Sequence, residues 1–397
     1  MAAALGENLA RIRTARAMTQ DTLAEASGVS VDTISRLERG THNTARRATL
    51  AALSRALGVD AAALLGMYTP QQESVGAEQL RRAVHALDLG DIADTVDVLP
   101  LADLHDAASI AWTDYLAGEH TALLAGLPTL MVDTRRAVGV LHDDHRAEAA
   151  GLLATAYRLA AGLAGRIGLT DLAAHSAHRA LEAARWTSRP ELDEAAALRY
   201  LAWVLVRQGD LAGAEHLAVR AAERLDRGLL SRPDPDRVGV FGSLMFNAAT
   251  AAARAGHGAR ADEHLLVARA AAVRSGQDRI DEAGVFGPRV AAMQAVDQTV
   301  RLGDPETALR LAEQVPDAAG VVPPFWEAGH RIHLGAACAD LTQWADVAEH
   351  LEAAAAIALE WSKVQPLGRT VAAQLIEHRG RRSPRLAAIA QHYAPAV

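Results

Sequence analysis

Apolar residues recur at intervals of three and four along almost the whole chain, and strict alternation is rare, which predicts amphipathic helices throughout. LGENLARIR puts Leu5, Leu9 and Ile12 on one stripe, and TLAALSRALGV does the same with Leu50, Leu53 and Leu57. Between them, TQDTLAEASGVSVDTISRLERG (Thr19 to Gly40) reads as two short helices joined by a tight turn. Ala24 is small enough for two helices to cross steeply there. Gly28 takes the positive backbone angle the turn requires. Val29, Ile34 and Leu37 then face the core, and the Ser30 hydroxyl suits the N-cap of the second helix. AAALLG closes the unit near Gly66, so residues 1–66 are expected to form a five-helix domain.

Residues 67–78, MYTPQQESVGAE, interrupt the pattern with Pro70, Gln71, Gln72 and Gly76 and read as a linker. From 79 to 397, helical stretches alternate with short breaks. Gly168, Gly209, Gly256 and Gly303 stand 41, 47 and 47 residues apart, and Thr342 follows 39 later. Five residues after each glycine comes Ala173, Ala214, Ala261 or Ala308. Seven further on comes Ala180, Ala221, Ala268 or Val315. Small residues at those places let the second helix of a hairpin lie close to the first and to the next pair.

A chain of 397 residues exceeds one core, so at least two domains are expected. The single cysteine, Cys338, excludes an intramolecular disulfide, and its setting LGAACADL suits a buried thiol. MAAALGENLAR lacks the features of a signal peptide, and the longest uncharged run, Val238 to Ala253, has 16 residues, short for a membrane span. A cytoplasmic location is expected. The net charge of −8 divides into +2 for residues 1–66 and −10 for the remainder, which confines nucleic-acid contact to the N-terminal end.

Residues 5–66, from MTQDTLAEASGVSVDTISRLERG to RATLAALSRALGV, resemble the Xre, or Cro/CI-type, DNA-binding domain of phage and bacterial repressors. The resemblance implies that the helix opened by Ser30 enters the major groove of a double-stranded operator. Val31, Asp32, Ser35 and Arg36 would then meet bases. Arg36 suits guanine, Asp32 a cytosine amine and Val31 a thymine methyl. Gln20, Arg39, Thr41, His42 and Asn43 would hold phosphates.

The body, most clearly over residues 150–365, resembles tetratricopeptide repeats with hairpins longer than the 34-residue unit. That resemblance implies a right-handed superhelix, with a concave wall lined by the first helix of each pair. Arg158, Arg199, Trp203, Phe246, Asn247, Thr250, Met293, Asp297, His330 and His333 project onto or beside that wall. The combination is similar to Gram-positive quorum-sensing regulators. It implies a homodimer whose repeats bind a signalling peptide or small-molecule effector, with Gly90, Gly162 and the linker as points of give. The alternative is a DNA-tethered scaffold whose repeats hold a partner protein.

Three His-x-x-His pairs, His142/His145, His175/His178 and His330/His333, each share a helical face but lack a third ligand at zinc spacing. The carboxylate pairs Asp143–Asp144 and Asp281–Glu282 sit in helix-start or loop settings, where the helix dipole accounts for the charge. No phosphate-binding glycine loop or nucleophile elbow occurs. Neither a metal, a cofactor nor an enzymatic activity is expected.

Overall fold

A computed structural model describes residues 5–16, 18–41, 45–59, 64–65, 75–86, 98–229, 234–281, 284–318, 320–380 and 383–394. The N-terminal unit contains α1 (Leu5–Ala15), α2 (Gln20–Ser27), α3 (Val31–Glu38) and α4 (Arg47–Leu57). The backbone enters the left-handed region at Gly28, with φ of 71°, where its N–H closes α2 on the Ala24 carbonyl at 2.9 Å. Ser30 then caps α3 by accepting the Thr33 N–H at 3.3 Å. Leu9, Leu23, Ile34, Leu37, Leu53 and Leu57 form the buried core. α1 crosses α3 so closely that a Cβ on Gly6 would stand 2.0 Å from the Leu37 carbonyl oxygen. The expected fifth helix falls mostly outside the described residues, although Leu64 is buried in the same core.

The body is likewise helical. It begins with α5 (Val75–His85), which starts inside the stretch read as linker because Ala77, Leu80, Ala83 and Val84 already form a buried stripe. α6 (Leu101–Ala117) and α7 (His120–Val140) follow. Five hairpins then succeed one another: α8 (Asp143–Arg166) with α9 (Thr170–Ala184), α10 (Pro190–Gln208) with α11 (Leu211–Leu229), α12 (Pro235–Arg254) with α13 (Gly258–Ser275), α14 (Pro288–Leu302) with α15 (Pro305–Ala312), and α16 (Pro324–Asp340) with α17 (Trp344–Ile357). Their turns fall at Gly168, Gly209, Gly256, Gly303 and Thr342, all with positive φ. Ala173, Ala214, Ala261 and Ala308 are buried where each second helix meets the first, and Val347 takes the same place after Thr342. The chain ends with α18 (Leu359–Lys363), α19 (Pro366–Arg379) and α20 (Pro384–His392).

The first helices α8, α10, α12, α14 and α16 pack side by side in order. The row bends until its end returns to its beginning, so that α16 touches α6. There the Tyr115 and Phe325 rings meet edge to face, 6.2 Å between centroids. A short antiparallel pair of strands, β1 (Arg279–Asp281) and β2 (Gly284–Phe286), is the departure from an all-helical chain among the described residues. Phe286 anchors it against Gly242, where even a methyl group would collide with the ring. The Asp278 carboxylate accepts the Arg289 and Val290 N–H groups at 3.1 and 3.2 Å, fixing the start of α14.

Candidate functional site

Two faces carry the candidate chemistry, one on α3 and one inside the closed row. On α3, Val31, Asp32 and Arg36 are exposed and Ser35 is half-exposed, all standing away from the buried Ile34 and Leu37. Asp32 and Arg36 pair across one helical turn, Oδ2 to Nη2 at 2.7 Å. Arg39 is exposed, with its Nε donating to the Ser35 carbonyl at 3.2 Å. Thr41 finishes the helix by donating its hydroxyl to the Arg36 carbonyl at 2.9 Å. Gln20, expected to reach a phosphate, instead donates its amide to Glu38 at 2.6 Å. The same carboxylate takes Arg13 through two parallel bonds of 2.7 and 2.9 Å, which draws Gln20 toward the domain. Burial pushes the Glu38 carboxyl up, but Arg13 and Gln20 together outweigh it and hold it below the usual range. His42 and Asn43 lie outside the described residues.

The second face is a cavity of about 270 Å³ lined by α10, α12, α14 and α16, with Tyr115, Arg166, Trp361, Gln365 and the β2 strand completing its wall. Of the projected residues, Arg199, Trp203, Phe246, Asn247, Thr250, Met293, Asp297, His330 and His333 line it. Several are already engaged. Asn247 donates to the Arg199 carbonyl at 2.8 Å, and Thr250 accepts Gln298 at 2.8 Å. Asp297 takes Arg301 at 2.7 Å and His333 at 2.6 Å. Burial raises the Asp297 carboxyl, yet Arg301 and His333 overcome it and keep the group ionised far below its ordinary range. Burial above all, with His333 next, lowers His330 to about 4, so His330 is neutral at pH 7.

Arg158 does not reach this wall. It is buried between α8 and α10, 3.7 Å from Asp193 and 2.8 Å from the Thr155 hydroxyl. The residue of α8 that does line the cavity is Arg166, eight positions later. Eight steps of roughly 100° leave two side chains about 80° apart around a helix, enough to change faces. The projection also omitted Arg207, although it continues the i, i+4 row of Arg199 and Trp203. Trp326 likewise stands four residues before the projected His330, whereas Tyr115 and Trp361 were out of reach of spacing, because they arrive from helices far apart in sequence.

Gly162, considered a point of give, is a point of contact. A Cβ there would stand 2.4 Å from the Tyr115 hydroxyl, so the glycine lets α6 lie against α8. Gly90 and residues 67–74 of the linker lie outside the described residues. The N-terminal unit meets the body at two hairpin turns. A Cβ on Gly209, after α10, would be 3.1 Å from the Gly58 carbonyl oxygen, and one on Gly256, after α12, 3.4 Å from Arg55.

Among the described residues, no helix is long and apolar enough to cross a membrane. Residues 4–65 match a family model described as a helix-turn-helix domain, whereas no curated protein matches the chain. The N-terminal unit, with its exposed α3, is a helix-turn-helix domain of the Xre-like kind carried by DNA-binding regulators.

Proposed function

We propose that the protein is a sequence-specific transcription regulator, cytoplasmic and without catalytic activity, that binds a double-stranded operator as a homodimer and answers to a small effector held in its helical body. The observation that carries the DNA-binding part is the face of α3. Val31, Asp32, Ser35 and Arg36 point away from the core, and the other described residues leave them open. A dimer follows from energetics, because a single small reading head rarely supplies operator affinity and specificity, whereas two heads one helical turn apart do.

The effector part is supported by the closure of the row. A cavity of about 270 Å³, just under the usual size of a small-ligand site, favours a small effector over a partner protein or an extended signalling peptide. The route to DNA is short. α10 and α12 line the cavity through Arg199–Arg207 and Ser243–Thr250 and end in the two turns that abut Gly58 and Arg55. An effector shifts the heads only by binding one arrangement of these helices more tightly than another.

The test is selection of the full-length protein on a randomised duplex library, repeated with Arg36→Ala. The expected result is a palindromic or near-palindromic consensus whose preference relaxes at one base pair in each half-site of the variant. A library that returns no consensus, or one indifferent to Arg36, sinks the proposal.

A further inference from the structure

The cavity wall is strongly cationic inside a body that is acidic overall. Four arginines line it, against one aspartate, and that aspartate is already shared by Arg301 and His333. The other three, Arg166, Arg199 and Arg207, face no carboxylate among the described residues. Arg166 is only 6% exposed and donates to the Tyr115 carbonyl at 3.0 Å. Arg207 donates Nε to the Gly165 carbonyl at 2.9 Å. Among the described residues the Arg199 guanidinium makes no hydrogen bond, and its Nε is buried.

Each of the three lies over a ring. Arg166 sits between Tyr115 and Phe325, at 3.8 and 4.3 Å, Arg199 on Tyr200 at 3.8 Å, and Arg207 on Trp203 at 4.5 Å. Stacking leaves the N–H edges of a guanidinium available, and cation–π attraction does not cancel the burial of neighbouring like charges. Such a cluster is complete when an acidic group sits among its forks. The remaining wall carries the rings of Trp203, Phe246, Phe325, Trp326 and Trp361, interspersed with polar side chains such as Asn247, Thr250 and His330.

We propose that this cavity binds a small organic acid with a planar apolar body, its acidic group held by Arg166, Arg199 and Arg207 and its body lying against the aromatic wall. The proposal rests on the cavity being the effector site, and it names the effector's class. The volume limits the ligand to a compact molecule. The cationic wall rejects neutral analogues by leaving the arginines without a counter-charge.

The probe is anilinonaphthalene sulfonate, with the uncharged N-phenylnaphthylamine as its partner, each titrated by fluorescence into the full chain without DNA. The sulfonate is expected to saturate near one molecule per chain and to bind at least tenfold tighter than the amine. Naphthoate should displace it and naphthamide should not. Arg199→Gln should weaken sulfonate binding at least tenfold and leave the amine unchanged, while Arg220→Gln, on the exposed side of α11, leaves both unchanged. Unaltered circular dichroism and melting temperature show that the Arg199→Gln fold is intact. Equal affinity for the two probes, or full sulfonate affinity in both Arg199→Gln and Arg199→Gln/Arg207→Gln, overturns the proposal. Because these titrations contain no DNA, a probe that binds as expected yet leaves operator affinity unchanged defeats the regulatory reading and not the site.

Discussion

The Glu360 carboxylate accepts the Thr121 backbone N–H at 2.9 Å and the Thr121 hydroxyl at 2.8 Å, joining two residues 239 positions apart. It caps the first turn of α7 with a negative charge, where the helix dipole favours one, and does so at the seam where the row of hairpins meets its own beginning. Beside it, Trp361 packs on Gly118, which leaves no space for a side chain. The seam turns an open helical array into an enclosure.

Glu360→Ala should therefore loosen the closed form before it unfolds anything else. It removes the carboxylate cap from an exposed helix start, at a cost of about 0.5–2 kcal/mol. Hydrogen exchange should quicken in residues 119–123 and around Phe325, and the urea midpoint should fall. Unchanged exchange at the seam would mean that the Tyr115–Phe325 contact holds the ring shut alone.

The pairing of Asp32 with Arg36 sets an expectation for DNA binding. An arginine bonded to its neighbour must release it to take guanine through both nitrogens. Arg36→Ala should cost ~1–3 kcal/mol on the preferred site and flatten preference at one base pair. Asp32→Ala should act oppositely on non-specific duplex, tightening it by removing a negative charge from the reading face. Gel-shift titrations at two salt concentrations separate the outcomes. If Asp32→Ala weakened every duplex equally, Asp32 would be supporting the helix and not reading a base.

What the sequence disclosed follows from the range of each constraint. Gly28 and Ser30 were legible because a turn and a cap are decided within a few residues. Gly168, Gly209, Gly256 and Gly303 were legible for the same reason, each ending a helix in the left-handed conformation. Arg158 was misplaced because locating a wall also needs helix phase, and an error of one or two residues moves a side chain to another face. The three-residue strands are too short for alternation to register. Closure was invisible, since nothing in the spacing around Tyr115 points to Phe325 or around Thr121 to Glu360.

Gly165 and Gly151 lie on one helix and should respond in opposite ways. A Cβ on Gly165 would stand 2.4 Å from Trp203, whereas one on Gly151 meets nothing within 4 Å. Gly165→Ala should destabilise by about 1–3 kcal/mol and push the indole toward the cavity, weakening probe binding. Gly151→Ala should be neutral or stabilising by up to about 1 kcal/mol, through better helix propensity. Chemical denaturation of both, with fluorescence of Trp203 followed in a chain lacking the other tryptophans, checks the pair. Equal effects would place the Trp203 ring elsewhere.

Two histidines, the buried His120 and the half-buried His330, set the acid limit of the body. Burial, followed by the charge of Arg166, lowers His120 to about 3 despite Glu360 nearby, and burial lowers His330 to about 4. Unfolded histidine titrates near 6.5, so between that value and about 4 the unfolded chain binds protons that the folded chain refuses. Stability from this source is therefore complete above pH 6.5 and declines as the pH falls, by about 2 kcal/mol per histidine between pH 7 and pH 5. Asp297 and Glu38, held low by their arginines, keep their charge across that interval and add their loss only in stronger acid. Urea unfolding at pH 7 and pH 5 should show His120→Gln and His330→Gln each losing less stability than the parent. Parallel losses in all three proteins would mean that these imidazoles reach water in the folded state.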